Sequence, residues 1–219
     1  MNTAPINKVY NLIILDESGS MESIKRATIN GFNELLQSIK RSATEDPEIK
    51  QWVNFYFFNG AALKEQVALS PAGEMLQLTG NSYRPEDMTP LYDPIGMASN
   101  KLRKALEKES DYSVLVTILT DGEENNSKEY THTAINALIT ALKSKGWVFT
   151  YIGANHDVEK TAISLSITNH LHFTANEEDT AAMFTKNSDS RHAYMGKIKR
   201  NEKDKLQEGY FKKVNPDEN

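Results

Sequence analysis

Four apolar runs leave this chain little choice of architecture. Val9 to Leu15, Trp52 to Phe58, Val114 to Thr120 and Trp147 to Gly153 are short and rich in β-branched and aromatic residues. They carry apolar side chains on both alternating faces, the pattern of strands covered on both sides. Between them the apolar period changes to three and four. Ile24, Thr28, Phe32, Leu35 and Ile39 share one helical face, as do Ile95, Ala98, Leu102, Ala105 and Leu106, and later Ala134, Leu138, Ala141 and Leu142. Strands alternating with helices predict an α/β fold, a mostly parallel sheet with helices on both faces. Asn59-Gly60 is a hairpin pair, so Ala62 to Leu69 should return antiparallel. Val158 to Ile167 reads as a short helix, Leu171-His172-Phe173 as an edge strand, and Ala181 to Phe184 with Ala193 to Ile198 as one or two final helices.

A chain of 219 residues can bury one full core. The domain is placed at residues 1–196. The rest, 197–219, differs in composition: from Lys197 to Lys213, Lys197, Lys199, Arg200, Lys203, Lys205, Lys212 and Lys213 outnumber Glu202, Asp204 and Glu208. That segment is expected to be a charged helix or a flexible tail.

In an open parallel sheet, ligands bind beyond the carboxyl ends of the strands. The first strand runs into Asp16-Glu17-Ser18-Gly19-Ser20, and the third into Asp121-Gly122-Glu123-Glu124. If these strands are neighbours, Asp16 and Asp121 lie at one edge. Thr89 ends a long turn-rich loop, just before a helix expected to start with Asp93 as its cap and Pro94 at its first position. Thr89 can therefore reach the same edge. Together with Ser18 and Ser20 the inventory is three hydroxyls and two carboxylates, an all-oxygen set that suits a hard cation such as Mg²⁺. A plainer reading has Asp16 and Ser20 capping the helix that follows, and this is compatible with a metal role.

Asp16-x-Ser18-x-Ser20 after a buried strand, Thr89-Pro90-Leu91 before a helix, and Thr120-Asp121-Gly122 after a second strand resemble the von Willebrand factor A-type (vWA) domain with its metal ion-dependent adhesion site. The resemblance runs from about Val9 to the 170s or 190s. It implies a Rossmann-like, three-layer αβα fold, with a six-stranded sheet that is parallel except for one antiparallel edge strand. It also implies that Ser18, Ser20 and Thr89 give hydroxyls to the metal (Mg²⁺, with Mn²⁺ or Ca²⁺ as substitutes) while Asp16 and Asp121 act through bound waters. Family members often carry Gly-Gly before the Thr. This chain has Asp87-Met88, and Asp87 either crowds the site or adds a ligand. The small format resembles stand-alone prokaryotic or phage vWA proteins of the tellurite-resistance type.

Neutral hydroxyls leave a divalent ion poorly neutralised, so its open position should attract an anionic oxygen. The function expected is therefore a non-enzymatic, Mg²⁺-dependent interaction module that binds a partner protein's Asp or Glu. The alternatives are a Mg²⁺-dependent hydrolase or phosphoryl-transfer enzyme on the same carboxylates, and a structural assembly protein. A phosphate-binding Gly-rich loop with Lys-Ser/Thr and a Gly-x-Ser-x-Gly nucleophile turn are both missing from the sequence.

Composition narrows the setting. A net charge of −5 gives no generic attraction to nucleic acid or to anionic membranes. The absence of cysteine rules out disulfides and thiolate chemistry and agrees with a reducing compartment. No apolar run approaches the roughly 20 residues that span a bilayer, and a cytoplasmic location is the default. His170-x-His172 reads as a pair of surface histidines, His132, His156 and His192 as isolated ones, and Glu123-Glu124 as a solvated loop with an acidic rim or second cation as the alternative.

Overall fold

The computed structural model describes residues 5–154, 157–207 and 209–211. His156 and the tail from Lys212 onward lie outside the described residues. The strands are β1 (Lys8–Asp16), β2 (Lys50–Phe58), β3 (Leu63–Pro71), β4 (Tyr112–Thr120), β5 (Val148–Gly153) and β6 (Asn169–His172). They form one six-stranded sheet in the order β3-β2-β1-β4-β5-β6. All neighbours are parallel except β2 and β3, so the expected antiparallel edge strand is present. The Asn59 side chain shapes the β2–β3 turn by accepting from the amides of Ala61 and Ala62.

Strand alternation sorts the core into two layers. Leu12, Ile14, Val116, Ile118, Phe149 and Tyr151 point to one face. There they meet α2 (Tyr92–Ala105), α3 (His132–Lys143) and α4 (Val158–Ser164). Ile13, Leu15, Phe55, Phe57 and Ile152 point to the other face, against α1 (Lys25–Glu45) and α5 (Glu177–Lys199). Helices α1 and α5 pack closely because Gly31 has no side chain. A Cβ built there would lie 2.0 Å from a ring carbon of Phe184.

The two helical fragments expected near the C-terminus are one continuous helix, α5. Its buried face is partly polar, with Thr180, Asn187, Ser190 and Arg191 among Met183, Phe184, Tyr194 and Ile198. The Arg191 guanidinium is buried and donates to Asn11 Oδ1 at 2.5 Å and Gln51 Oε1 at 2.8 Å, tying α5 to β1 and β2. Asn11, an interruption in the first apolar run, is thus a partner for a buried charge. Burial pushes the Arg191 pKa downward, yet the amide acceptors satisfy two of its donors.

The boundary expected at 196/197 falls inside α5. Beyond it, Leu206 and Tyr210 are buried with Ile6, Val9, Val148, Tyr194 and Ile198 in a third cluster at the opposite end of the sheet from the strand tips. Asn169 holds this stretch by donating to Gln207 O and accepting from the Tyr210 amide. Lys199 pairs with Asp46, and Arg200 and Lys205 pair with Glu202. As far as Phe211 the segment is packed on the domain rather than being a solvated tail.

Candidate metal centre

β1 and β4 are hydrogen-bonded neighbours, with Leu15 opposite Leu119. Their tips therefore bring Asp16 and Asp121 to one edge. The chain after β1 turns at once into a 3-10 segment, Gly19–Ile24, and α1 starts only at Lys25. The helix start expected near Ser20 is thus a tight turn, and this turn folds the two serines back over the strand tip.

The oxygens meet as follows. Ser18 Oγ lies 3.2 Å from Ser20 Oγ, and Ser20 Oγ–H donates to Asp121 Oδ1 at 2.5 Å. Asp16 sits behind them, fully buried, and accepts from the Ser18 amide at 2.7 Å and from the Thr120 hydroxyl at 2.6 Å. Thr89 approaches from the far side. Its Oγ1 would lie 3.2 Å from a Cβ placed on Gly122, so any larger residue after Asp121 would make Thr89 give way by a few tenths of an ångström. Asn125 fixes the Thr89 backbone, accepting from its amide at 3.0 Å and donating to its carbonyl at 3.1 Å. All five expected residues thus come to one strand edge.

Burial pushes the Asp16 carboxyl up to about 7. The Thr120 hydroxyl and the Ser18 hydrogen bonds oppose that rise, and nearby Asp121 adds to it. A carboxylate so desolvated gains strongly from a cation close by. The donor set, three hydroxyls with two acids behind and beside them, fits a hard divalent ion. Among the described residues no group of three or more His, Cys, Asp or Glu is placed to hold a metal. A metal at this edge would therefore rely on hydroxyl oxygens.

Thr120 belongs to the motif Thr120-Asp121-Gly122, but nothing in the sequence assigned its side chain a role. As the last residue of an apolar strand it reads as core, yet its hydroxyl orients Asp16 and also accepts from the Gly122 amide at 3.1 Å. Thr120→Val keeps the shape and removes that donor. It is expected to cost about 1–3 kcal/mol in urea unfolding, the range for a buried acceptor left short.

Three other expectations resolve here. Asp87 takes a left-handed φ of 70° and turns its carboxylate to the Met88 amide at 2.8 Å. Its Oδ1 presses on the hairpin at Gly60, so its contacts are with the β2–β3 turn. Asp93 does not cap α2, which starts two residues earlier than expected, at Tyr92, with Leu91 in the cap position. Instead its carboxylate accepts from the amides of Lys128, Glu129 and Tyr130. Glu124 is a bound residue rather than a solvated one. It accepts from the amides of Tyr92, Asn126 and Ser127 and from the Ser127 hydroxyl, which sets a carboxylate at the positive end of α2. Glu123 is exposed.

No family model and no curated protein matches the sequence. Solved structures do match. The vWF domain of the type V pilus tip protein Mfa5 from Porphyromonas gingivalis aligns with a TM-score of 0.62 at 10% identity, over 87% of this chain and 97% of that one. The fold is that of a vWA domain. The VWA domain of SpRpn10 aligns with a TM-score of 0.54 at 10% identity, over 83% of this chain and 95% of that one. The manganese-loaded TRAP protein of Plasmodium vivax aligns with a TM-score of 0.54 at 16% identity, over 83% and 73% of the respective chains. In a vWA fold the candidate centre occupies the carboxyl edge of the sheet, where open α/β sheets place their ligands.

Proposed function

We propose that this vWA domain is a metal-dependent protein-interaction module, and that its partner presents an Asp or Glu side chain. The observation that carries the proposal is the convergence of Ser18, Ser20 and Asp121 within hydrogen-bonding distance over a buried Asp16, with Thr89 packed across Gly122. Ser18, Ser20 and Thr89 would hold Mg²⁺ or Mn²⁺ through hydroxyls, with Asp16 and Asp121 balancing charge through water. The bound metal would supply an electrophilic position for an anionic oxygen. A fold neighbour that carries manganese supports the choice of ion. Among the described residues no helix is long and apolar enough to cross a membrane. The cysteine-free composition fits a reducing, cytoplasmic setting.

The chain's own residues divide the work. Thr120 and the Ser18 amide orient Asp16. Asn125 holds the Thr89 backbone, and Gly122 leaves room for its side chain. Met88, 49% exposed, stands beside Thr89 and offers apolar contact to whatever docks there.

The test combines calorimetric titration of Mn²⁺ with pull-down in Mg²⁺ or EDTA. Wild type should bind one Mn²⁺ and retain a partner in Mg²⁺ alone. Ser18→Ala with Asp121→Ala should lose both. Equal retention by wild type and variant, or in EDTA, would sink the proposal. Mg²⁺-dependent turnover of phosphoesters, lost in Asp121→Ala, would replace it with the hydrolase reading.

A further inference from the structure

Thr89 comes from a stretch with little regular structure of its own. After a short 3-10 turn at Ala72–Glu74, the chain from Met75 to Leu91 contains no helix or strand. Closing such a loop and holding its last residues at the strand tips costs conformational entropy. If the metal had to order the loop, that cost would come off its affinity. The loop is instead laced to the backbone of residues 16–19. Tyr83 Oη–H donates to Asp16 O at 2.7 Å, the Glu86 amide to Glu17 O at 2.9 Å, and the Gly19 amide to Asp87 O at 3.0 Å.

The side chain of Glu17 completes the lacing. Glu17 is only 2% exposed, although it lies between the two candidate ligands Asp16 and Ser18. Its Oε1 accepts from the Arg84 amide at 2.8 Å. Its Oε2 accepts from Lys64 Nζ at 2.9 Å, an ammonium on the edge strand β3 that also lies 3.9 Å from Glu86. The Glu17 amide donates to Phe58 O at the end of β2. One buried carboxylate thus bridges the metal loop, the Thr89 loop and the β2–β3 hairpin. Both of its bonds are charge-assisted, the stronger class of hydrogen bond. The same hairpin touches the loop again where Gly60 meets Asp87.

We infer that Glu17 is a positioning residue. It fixes the Thr89 loop against residues 16–19 before any metal arrives, so that the centre is pre-formed and the antiparallel hairpin acts as its brace. The consequence for metal affinity rests on the metal-centre reading above; the consequence for the loop does not. Residues that orient a metal's ligands without touching it change affinity by 10–100-fold when removed.

Two readouts test this on the full chain. Amide hydrogen exchange of the metal-free protein reports the loop, and Mn²⁺ titration reports the centre. Glu17→Ala should exchange at least tenfold faster at Arg84, Glu86 and Thr89, with β1 and β4 unchanged, and should bind Mn²⁺ at least tenfold more weakly. Glu17→Gln keeps an acceptor for the Arg84 amide and gives up the ion pair, so it should recover most of both losses. Lys64→Met, on an accessible edge-strand residue, leaves the buried Glu17 carboxylate without its ammonium, so it should exchange faster in the loop and bind Mn²⁺ more weakly than Glu17→Gln. It also stands in if Glu17→Ala does not fold. Wild-type exchange in the loop of Glu17→Ala, or of Lys64→Met in its place, overturns the inference. Faster exchange with unchanged Mn²⁺ affinity overturns its metal half. A wild type that binds no Mn²⁺ refutes the metal-centre reading instead, and the exchange data still decide whether Glu17 holds the loop.

Discussion

Gly31→Ala should destabilise this protein by about 3 kcal/mol or more, the upper range for a single methyl forced into a packed core. The added Cβ would lie 2.0, 2.2 and 2.7 Å from Phe184 Cδ2, Cγ and Cβ, well inside van der Waals contact. The last of these atoms is next to the α5 backbone, so rotating the ring cannot clear the clash and the helix itself has to move. Phe184 is buried among Phe32, Leu35 and Met183, which transmit any shift into the layer over β1 and β2. Helix propensity works the other way, since alanine is preferred to glycine by about 1 kcal/mol in a helix interior. A loss of stability would therefore show packing overriding propensity. Phe184→Ala alone should cost about 3–5 kcal/mol through its cavity. The double variant should cost at least 2 kcal/mol less than the sum of the two, since contacting residues couple on this scale. Urea denaturation of the four proteins measures it, and simple additivity would refute the contact.

The second large effect has the opposite sign and belongs to the candidate centre. In metal-free protein, Asp16→Asn should be more stable than wild type at pH 8 and equal to it near pH 4. The unfolded carboxyl ionises near 3.8, while burial makes the folded one keep its proton up to about 7. Between these values the folded state holds the extra proton, so wild-type stability falls as pH rises through the window and stays lower above it. At 1.36 kcal/mol per pH unit the gap approaches about 4 kcal/mol. Asn is uncharged, keeps an acceptor for the Ser18 amide, and can donate to the Thr120 hydroxyl. A divalent ion should then narrow the gap at pH 8 by stabilising wild type alone. Thermal unfolding of both proteins at pH 4, 6 and 8, with EDTA or Mg²⁺, gives the comparison. Parallel pH profiles would show that Asp16 ionises normally in the fold.

Much of this architecture was legible from period alone. β1, β2, β4 and β5 are buried on both faces, so each reads as a largely apolar run, and α1, α2 and α3 each bury one apolar stripe. α5 was harder. Its buried face includes Thr180, Asn187, Ser190 and Arg191, which break the stripe into two fragments, and the partners of Asn187 and Arg191 lie outside the helix. The site split along the same line. Asp16, Ser18, Ser20 and Asp121 sit at strand ends, where a short polar cluster after an apolar run stands out. Thr120 hides because its methyl suits the strand and its hydroxyl finds Asp16 only in three dimensions. Glu17 and Glu124 look like solvent-facing acids until backbone amides from distant loops are seen around them. Asp93 is misleading for the same reason. An acid before Pro94 suggests a local cap, but the amides it accepts from lie more than thirty residues away. Patterns within one element can be read from neighbours in sequence; bonds between loops cannot.

The position of β1 in the sheet has a mechanical consequence. It is an inner strand, paired in parallel with β2 from Lys8 to Asp16 and with β4 from Lys8 to Leu15. A pull on the Ser18–Ser20 turn along the strand axis loads both ladders in shear. Their hydrogen bonds must then yield together, whereas an edge strand such as β3 could be peeled bond by bond. The loop that bears the candidate ligands is thus anchored at the part of the sheet best able to resist tension.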